Sequence, residues 1–324
     1  MSRVPWALGI LAFLLVLGVA LGVLFGPAEL GLSRPITALF GTADSTAETV
    51  VWDLRLPRVV AALAVGAGLG VAGLMLQGAT RNPLGDPQLF GVGGGAAVIQ
   101  ALALAGVIDV GLWGLVTLSV AASLTGAGLI AFFSSRQQLS PARVALIGIS
   151  LAVLSAAVAT GMLAQARIFS QQSLTFLSGS LANRTWSDTL PALPFLALGI
   201  ILAFLVVGRL NLLGLGDRVA VNIRARPNRT RIVAITSSGI LGGASVAIAG
   251  MVGFVGLLVP HVARLIVGHD LRAVFLVSIP LGSAVVLYAD QVARLAFMPT
   301  EIPAGMVTAI LGAPLMIYAA RRVF

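Results

Sequence analysis

Apolar runs of roughly twenty residues recur along the whole chain, and only short polar stretches separate them. About twenty apolar residues are what an α-helix needs to cross the ~30 Å hydrocarbon core of a bilayer. The sequence therefore predicts an all-α, polytopic membrane protein with about ten transmembrane helices. The predicted helices cover residues 6–25, 58–79, 89–107, 111–134, 142–164, 191–208, 230–249, 250–266, 272–296 and 303–320.

The composition supports a membrane environment. The chain is 58% hydrophobic and 10% charged, whereas a soluble domain carries about 25% charged residues. One transmembrane domain is therefore expected over residues 1–324. The first run, Trp6 to Phe25, exceeds the ~7–15-residue apolar core of a signal peptide, so we expect an uncleaved first helix.

Arginines set the expected orientation, because cytoplasmic loops carry the excess of basic residues. With both termini in the cytoplasm, fourteen arginines fall inside and six outside, and the opposite orientation inverts these numbers. The formal net charge of +9 is also a property of nucleic-acid-binding proteins. The arginines stand singly between the spans, however, so no nucleic-acid partner is expected.

Two residue types are missing, and their absence excludes several chemistries. The chain has no cysteine, which excludes disulfides and thiol catalysis. All twenty basic residues are arginine, and both a Walker A loop and a Schiff base need a lysine. The chain is therefore not expected to be an enzyme, and any ATP hydrolysis belongs to another subunit.

Glycine spacing predicts close helix packing. Gly66 and Gly70, and likewise Gly239 and Gly243, stand four residues apart within apolar runs. Small residues at this spacing let helix backbones approach each other closely in lipid.

The stretch "FVGLLVPHVARLIVGHD", residues 254–270, holds both histidines. His261 and His269 are eight residues apart, not at the i, i+4 spacing of a zinc pair, so no metal site is expected. Pro260 is expected to bend a short segment, with His261 as a packing residue near an inner gate. Glycine permits a tight turn at Ala249–Gly250, just before this segment.

Asp290 is the acidic residue that first suggests proton coupling, since an intramembrane charge is a functional candidate. Arg294 lies four residues further on, where the two side chains could pair. A structural ion pair is therefore favoured over a proton-coupled secondary transporter, which remains the alternative class. An intramembrane enzyme has still less support, because paired carboxylates are missing.

Two longer polar segments complete the chain. The inner one covers about 209–231 and has a short helix predicted after Gly216–Asp217. The outer one covers about 167–190 and includes "LSGSLANRTW". At the start of the second span, "LRLPR" places Arg55 and Arg58 three residues apart. We expect both to point outward, where a guanidinium could bind a carboxylate of a partner bidentately.

The ordered motifs "LRLPR", "LQGATRNPLGDP", "LFGVGGGAA", "LNLLGLGD", "GFVGLLVPHVARL", "ADQVAR" and "EIPAGMVTAILGAP" resemble one family. The chain is similar to FecCD-type permease subunits of binding-protein-dependent ABC importers for iron–siderophores, haem and cobalamin. The resemblance extends from about residue 50 to 322. It implies ten spans with both termini inside, and a multi-pass location in the bacterial cytoplasmic membrane.

The resemblance also implies roles for individual residues. Arg55, Arg58 and Arg294 match arginines that receive acidic residues of the substrate-binding protein. The inner coupling segment that contacts the ATPase corresponds to Leu215, Gly216, Asp217 and Ala220. Apart from the resemblance, we expect a pathway lining that is mainly small and apolar with some Gln, Ser and Thr. The candidates for the pathway or its gate are Gln77, Asn82, Pro83, Gln100, Pro260 and His261.

The implied partners are two ATPase subunits, which bind the ATP and magnesium, and a substrate-binding protein. A second permease, either another copy or a sister chain, is expected to complete the pathway within membrane lipid. The outer motif "LSGSLANRTW" most resembles ferric siderophore importers. Haem and cobalamin remain alternative substrates.

Overall fold

A computed structural model of the chain describes residues 3–27, 30–31, 33–41, 43–135, 140–166, 176–214, 226–296, 298 and 300–323. Within these ranges the protein is helical and contains no β-strand, so the predicted all-α class is confirmed. The helices are α1 Arg3–Leu24, α2 Ser33–Leu39, α3 Ser45–Thr49, α4 Leu56–Thr80, α5 Gly94–Leu104, α6 Leu112–Ser135, α7 Pro141–Gln165, α8 Trp186–Thr189, α9 Leu193–Leu213, α10 Pro227–Ala249, α11 Val255–Val267, α12 Leu271–Leu295 and α13 Ala304–Val323. A π-helical turn, Val50–Arg55, joins α3 to α4, and a 3₁₀ turn, Leu190–Ala192, joins α8 to α9.

Seven helical segments among the described residues are long and apolar enough to cross a membrane. The predicted runs at 89–107, 250–266 and 303–320 contain shorter apolar helices, α5, α11 and part of α13. The thirteen residues of α11 extend over only ~20 Å at a rise of ~1.5 Å per residue. The total of ten spans and the location of the termini stay predictions, and "outer" and "inner" refer below to the predicted orientation.

Helix α4 lies at the centre of the molecule. In the most apolar stretch of each long helical segment, the share of buried residues is 83% for Ser45–Thr80 and 78% for α10. The corresponding share is 28% for α1 and 17% for α7. Around α4 pack α9, α10, α11 and α12, while α6 covers α10. Protein therefore covers most of α4 and α10, whereas α1 and α7 leave apolar faces exposed as lipid-facing helices do.

The predicted glycine contacts are present. Gly66 and Gly70 of α4 face α12, and Gly239 and Gly243 of α10 face α6. A Cβ atom on Gly66 would lie 2.2 Å from the carbonyl oxygen of Gly282. No side chain fits there, so the backbones of α4 and α12 are in direct contact, as small residues permit in lipid.

The break predicted at Ala249–Gly250 is also present. Helix α10 ends at Ala249, Gly250 has φ 69°, and Phe254 precedes α11 with φ 67°, a left-handed conformation that non-glycine residues seldom adopt. The irregular backbone is hydrogen-bonded by the outer segment, where the Ser180 amide donates to Ala249 O (2.8 Å) and the Met251 amide donates to Phe176 O (3.1 Å). Non-helical backbone at membrane depth is tolerated where protein satisfies it in this way.

The two long polar segments are described only at their edges. Of the inner one, the structure describes residues 209–214, at the end of α9 and its C-cap, and residues 226–231, at the N-cap and start of α10. Leu215, Gly216, Asp217 and Ala220 lie outside the described residues. Of the outer segment, the structure describes residues 176–190, which include α8, where Thr185 and Asp188 form a capping box.

Replacing Gly73 by alanine should separate α4 from α11. A Cβ on Gly73 would lie 1.9 Å from the Gly256 carbonyl oxygen, and backbone cannot rotate away as a side chain can. We expect Gly73→Ala to lower the free energy of unfolding by about 1–3 kcal/mol, measured by thermal unfolding in neutral detergent. Gly128→Ala on the exposed face of α6 is the control, because its Cβ would meet nothing within 4 Å. Equal midpoints for both variants would contradict the α4–α11 contact.

Candidate functional site

Buried arginines meet at the outer end of the molecule, where α1 ends. Arg55 and Arg294 are 5% and 3% exposed. Arg55 donates to the carbonyl oxygens of Val23 (2.7 Å) and Leu24 (2.8 Å), and Arg294 donates to that of Gly22 (3.2 Å). The last carbonyls of a helix have no intrahelical amide. The two guanidinium groups therefore cap the C-terminus of α1, with the favourable charge for that end of a helix.

Arg58 forms the ionic part of this cluster. Its Nε lies 2.9 Å from Asp290 Oδ2 and its terminal nitrogen donates to Asp290 Oδ1 at 2.9 Å, a bidentate pair between α4 and α12. Its other terminal nitrogen lies 2.9 Å from a carboxylate oxygen of Glu301. We call Arg55, Arg58, Arg294, Asp290 and Glu301 the outer charge cluster; it holds three positive and two negative charges.

Two expectations about these residues need correction. The prediction that Arg55 and Arg58 point away from the protein is wrong, because both side chains are buried and bound within the chain. Asp290 was expected to pair with Arg294 one turn along the same helix, but it binds Arg58 of α4 instead. The reason is packing: α4 lies against α12, and a guanidinium buried there needs a carboxylate. The role of these arginines in docking stays a prediction.

Pro260 creates a second polar site, inside α11. Proline has no amide hydrogen, so the carbonyl four residues earlier, that of Gly256, lacks its helical partner. Gln77 of α4 supplies the missing donor at 3.0 Å, and Arg264 donates to the Gln77 side-chain oxygen at 2.7 Å. Gln77, predicted to line the pathway, is 3% exposed and joins α4 to α11.

The remaining pathway candidates lie on the turn after α4, on α11 and on α5. Asn82 and Pro83 lie in the turn after α4, where the Asn82 side chain accepts from the Leu84 amide at 2.9 Å. His261 is half-buried beside Pro260 on α11. Gln100 lies near the outer end of α5 and donates to the Ser119 hydroxyl at 3.2 Å. Among these candidates, the structure joins Asn82 to Gln77, because the Asn82 amide donates to the Gln77 carbonyl oxygen at 3.2 Å. Gln77 in turn binds α11, the helix that carries Pro260 and His261, and the roles of all these residues in transport stay predictions.

Gln100 also lines a cavity of about 570 Å³ at the outer end. Glu301 contributes to its wall, so the cavity adjoins the outer charge cluster. The pKa of the Arg184 guanidinium in this wall is lowered, because the effect of burial exceeds the opposing effect of Asp188 one turn away. Arg184 Nε is buried and has no hydrogen-bond partner among the described residues. Further lining residues are Leu104, Phe176, Ser180, Ala182, Asn183, Ile302 and Pro303.

Sequence reasoning missed Asp86 by treating Asp290 as the only deep carboxylate. Asp86 is 1% exposed. Its Oδ1 accepts from the amides of Gln88 (2.8 Å) and Leu89 (3.1 Å), and its Oδ2 lies 2.8 Å from the Cβ position of Gly256. The carboxylate therefore lies against the first turn of α11, where free amides favour a negative charge. The turn signal Asp86–Pro87 was visible in the sequence, but its burial was not.

Among the described residues, no group of three or more His, Asp or Glu side chains could hold a metal ion. The contacts of Arg55, Arg58 and Gln77 described above are charge pairs and hydrogen bonds to carbonyl oxygens within the protein. The side chains that make these contacts lie in the motifs that resemble FecCD-type permeases, among them "LRLPR", "LQGATRNPLGDP", "GFVGLLVPHVARL" and "ADQVAR".

A family model described as the FecCD transport family matches residues 14–322. This chain belongs to the FecCD transport family. It is 35% identical over 317 residues to the ferric enterobactin transport system permease protein FepD of Escherichia coli (strain K12), covering 96% of this chain and 94% of that protein. It is also 35% identical over 285 residues to the vitamin B12 import system permease protein BtuC of Yersinia enterocolitica, covering 86% and 84% of the two chains.

A solved structure supports the same assignment. An inward-facing metal-chelate type ABC transporter superposes with a TM-score of 0.83 at 30% identity, covering 98% of this chain and 99% of that one. This FecCD protein is thus a multi-pass permease subunit of an ABC importer, and the relatives that it matches are transport permeases. Its relatives are named for iron chelates and for vitamin B12, so family membership leaves the exact substrate open.

The contact between Gln77 and Gly256 can be tested against Pro260 by a double-mutant cycle. Gln77→Leu keeps the side-chain volume but leaves the buried Gly256 carbonyl without a donor, at a cost of about 1–3 kcal/mol. Pro260→Ala restores the helical amide to that carbonyl. In the Pro260→Ala background, Gln77→Leu should therefore cost at least ~1 kcal/mol less, a coupling that equilibrium unfolding in detergent can measure.

Gln165→Leu at the exposed end of α7 serves as the matched control. It should change the free energy of unfolding by less than ~0.5 kcal/mol in either background. Additive costs of Gln77→Leu and Pro260→Ala would show that Gln77 does not replace the missing amide.

Proposed function

We propose that this permease carries a ferric siderophore from a soluble binding protein across the bacterial cytoplasmic membrane. The observation that carries the proposal is the family match over residues 14–322, nearly the whole chain. The similarity to a ferric enterobactin permease over 96% of this chain supports an iron chelate. The equal identity to a vitamin B12 permease makes cobalamin the second candidate.

The energy for transport would come from a separate ATPase. This chain has no lysine for a Walker A loop. We propose that the ATPase binds the inner segment 209–231 through Leu215, Gly216, Asp217 and Ala220, and that two permeases enclose the pathway between them. The ATP and magnesium belong to the ATPase. ATP-driven movement of its subunits would then reach α9 and α10, which flank the inner segment.

Docking of the binding protein is proposed at the outer charge cluster. The cluster carries one net positive charge, which attracts an acidic partner. Its carboxylates differ in access, since the side chain of Asp290 is 5% exposed and that of Glu301 is 25% exposed. A carboxylate from the binding protein would therefore reach Arg58 from the Glu301 side, while Asp290 keeps the guanidinium in place.

Reconstitution tests the transport function. The purified permease, its cognate ATPase and its binding protein are placed in proteoliposomes with magnesium and ATP inside. We expect ATP-dependent uptake of a ferric siderophore, and no uptake when a non-hydrolysable ATP analogue replaces ATP. Uptake of vitamin B12 in place of the siderophore would favour the second candidate. Uptake driven by a proton gradient without the ATPase would contradict the ABC mechanism and support a secondary transporter.

A matched pair of variants tests docking separately from stability. Arg58→Gln and Asp290→Asn both break the buried ion pair, and each is expected to destabilise the fold by about 3–5 kcal/mol. Only Arg58→Gln removes the positive charge that a partner would bind. We expect Arg58→Gln to weaken binding-protein affinity at least about tenfold, or ~1.4 kcal/mol. Asp290→Asn keeps the positive charge and loses only part of its positioning, so we expect it to weaken affinity by less than about threefold, or ~0.7 kcal/mol.

Affinity is measured on folded protein in nanodiscs, by surface plasmon resonance at several salt concentrations. Equal losses in the two variants would assign Arg58 a purely structural role.

A further inference from the structure

A groove of about 540 Å³ runs between α9 and α12 at the inner end of the molecule. Its walls are apolar along most of their length and exposed to the outside of the helix bundle. Phe204 and Leu205 of α9 are each 63% exposed and Leu276 of α12 is 46% exposed. On a transmembrane protein, this surface faces hydrocarbon. The groove is lined by Phe204, Leu205, Val207, Gly208, Arg209, Leu212, Arg272, Phe275 and Leu276.

Two arginines close the inner end of this groove. Arg209 lies near the end of α9 and Arg272 near the start of α12, and both are exposed. The Arg272 guanidinium lies against Gly208, with a terminal nitrogen 2.8 Å from the position of a Cβ there. This places a positive charge directly over the apolar floor of the groove.

Neither guanidinium is neutralised within the described part of the chain. No described carboxylate lies within ion-pairing distance of Arg209 or Arg272. Asp270, two residues before Arg272, has other partners: its Oδ1 accepts from the Arg272 backbone amide at 3.0 Å and from the Asn211 side chain at 3.2 Å. Two positive charges at the end of an apolar groove therefore lack a counter-ion from the described protein.

We propose that this groove is a binding site for an anionic phospholipid. The guanidinium groups of Arg209 and Arg272 would bind its phosphate, because planar guanidinium donors match phosphate oxygens well. The acyl chains would lie along Phe204, Leu205 and Leu276. Basic pockets between transmembrane helices near a membrane surface are established binding sites for anionic headgroups.

The apolar wall favours a lipid over the other anions that arginines bind. A free phosphate would use the two guanidinium groups and leave the wall exposed. An acidic segment of a protein partner would likewise gain little from side chains that face the bilayer. Only an amphiphile with a negative headgroup complements both the charge and the apolar length of the groove.

The test uses the full chain, purified in neutral detergent and titrated with phosphatidylglycerol or phosphatidylcholine. Native mass spectrometry measures bound lipid. The wild type should bind phosphatidylglycerol at least about tenfold more tightly than phosphatidylcholine, because each arginine near the headgroup contributes ~1 kcal/mol. The double variant Arg209→Gln, Arg272→Gln should lose this preference.

Two further variants separate charge at this groove from charge in general. Arg143→Gln removes an exposed arginine at the start of α7, at the inner end but outside the groove, and should keep the full preference. The double variant Arg209→Lys, Arg272→Lys keeps the positive charges but loses the planar guanidinium groups. It should retain most of the preference for phosphatidylglycerol. Both altered arginines are exposed, so unfolding midpoints without added lipid should match the wild type.

The competing explanations have distinct outcomes. Displacement of phosphatidylglycerol by millimolar inorganic phosphate, or an equal loss of preference in Arg143→Gln, would overturn the lipid site. So would equal binding of the two lipids by the wild type. Lipid preference abolished only when the cognate ATPase is added would instead assign the two arginines to a protein contact.

Discussion

Carbonyl oxygens without an amide partner are the constraint on which the arrangement of helices depends. The bilayer core offers no water to such groups, and each unsatisfied one costs several kcal/mol. At the end of α1, Arg55 and Arg294 supply the missing donors. Within α11, Gln77 supplies the donor that Pro260 lacks. In each case the donor comes from a neighbouring helix, so satisfying the backbone also fixes which helices lie together.

The outer charge cluster, where we propose that the binding protein docks, is held in place by contacts within the chain. Arg58 is held by two carboxylates and its neighbours by the carbonyls of α1, so these long side chains are ordered before any contact is made. Ordering a flexible side chain during association costs roughly 0.5–1.5 kcal/mol. A cluster already fixed by the fold avoids that cost, and its charge is presented at a constant position. Burial and docking are thus compatible for these arginines.

The sequence predicted the helical class, the positions of the apolar runs, the glycine contacts and the break at Gly250, because each depends on local spacing. It could not predict the partner of Asp290, since Arg58 is 232 residues away in the chain. An i, i+4 neighbour is the only partner that local reasoning can propose. Gln77 was predicted to line the pathway for a similar reason: the consequence of Pro260 for another helix appears only once α4 and α11 are packed.

Asp86 has a further consequence for how the molecule can move. Its two oxygens face different structures, the turn that leads into α5 and the first turn of α11. One buried carboxylate thereby lies between the turn that leads into α5 and the first turn of α11, two segments that are far apart in sequence. Moving α11 away from that turn would leave the oxygen of Asp86 that faces Gly256 without packed neighbours, which is costly for a buried polar group. We therefore expect the start of α11 and the turn after α4 to stay in contact when the helices shift.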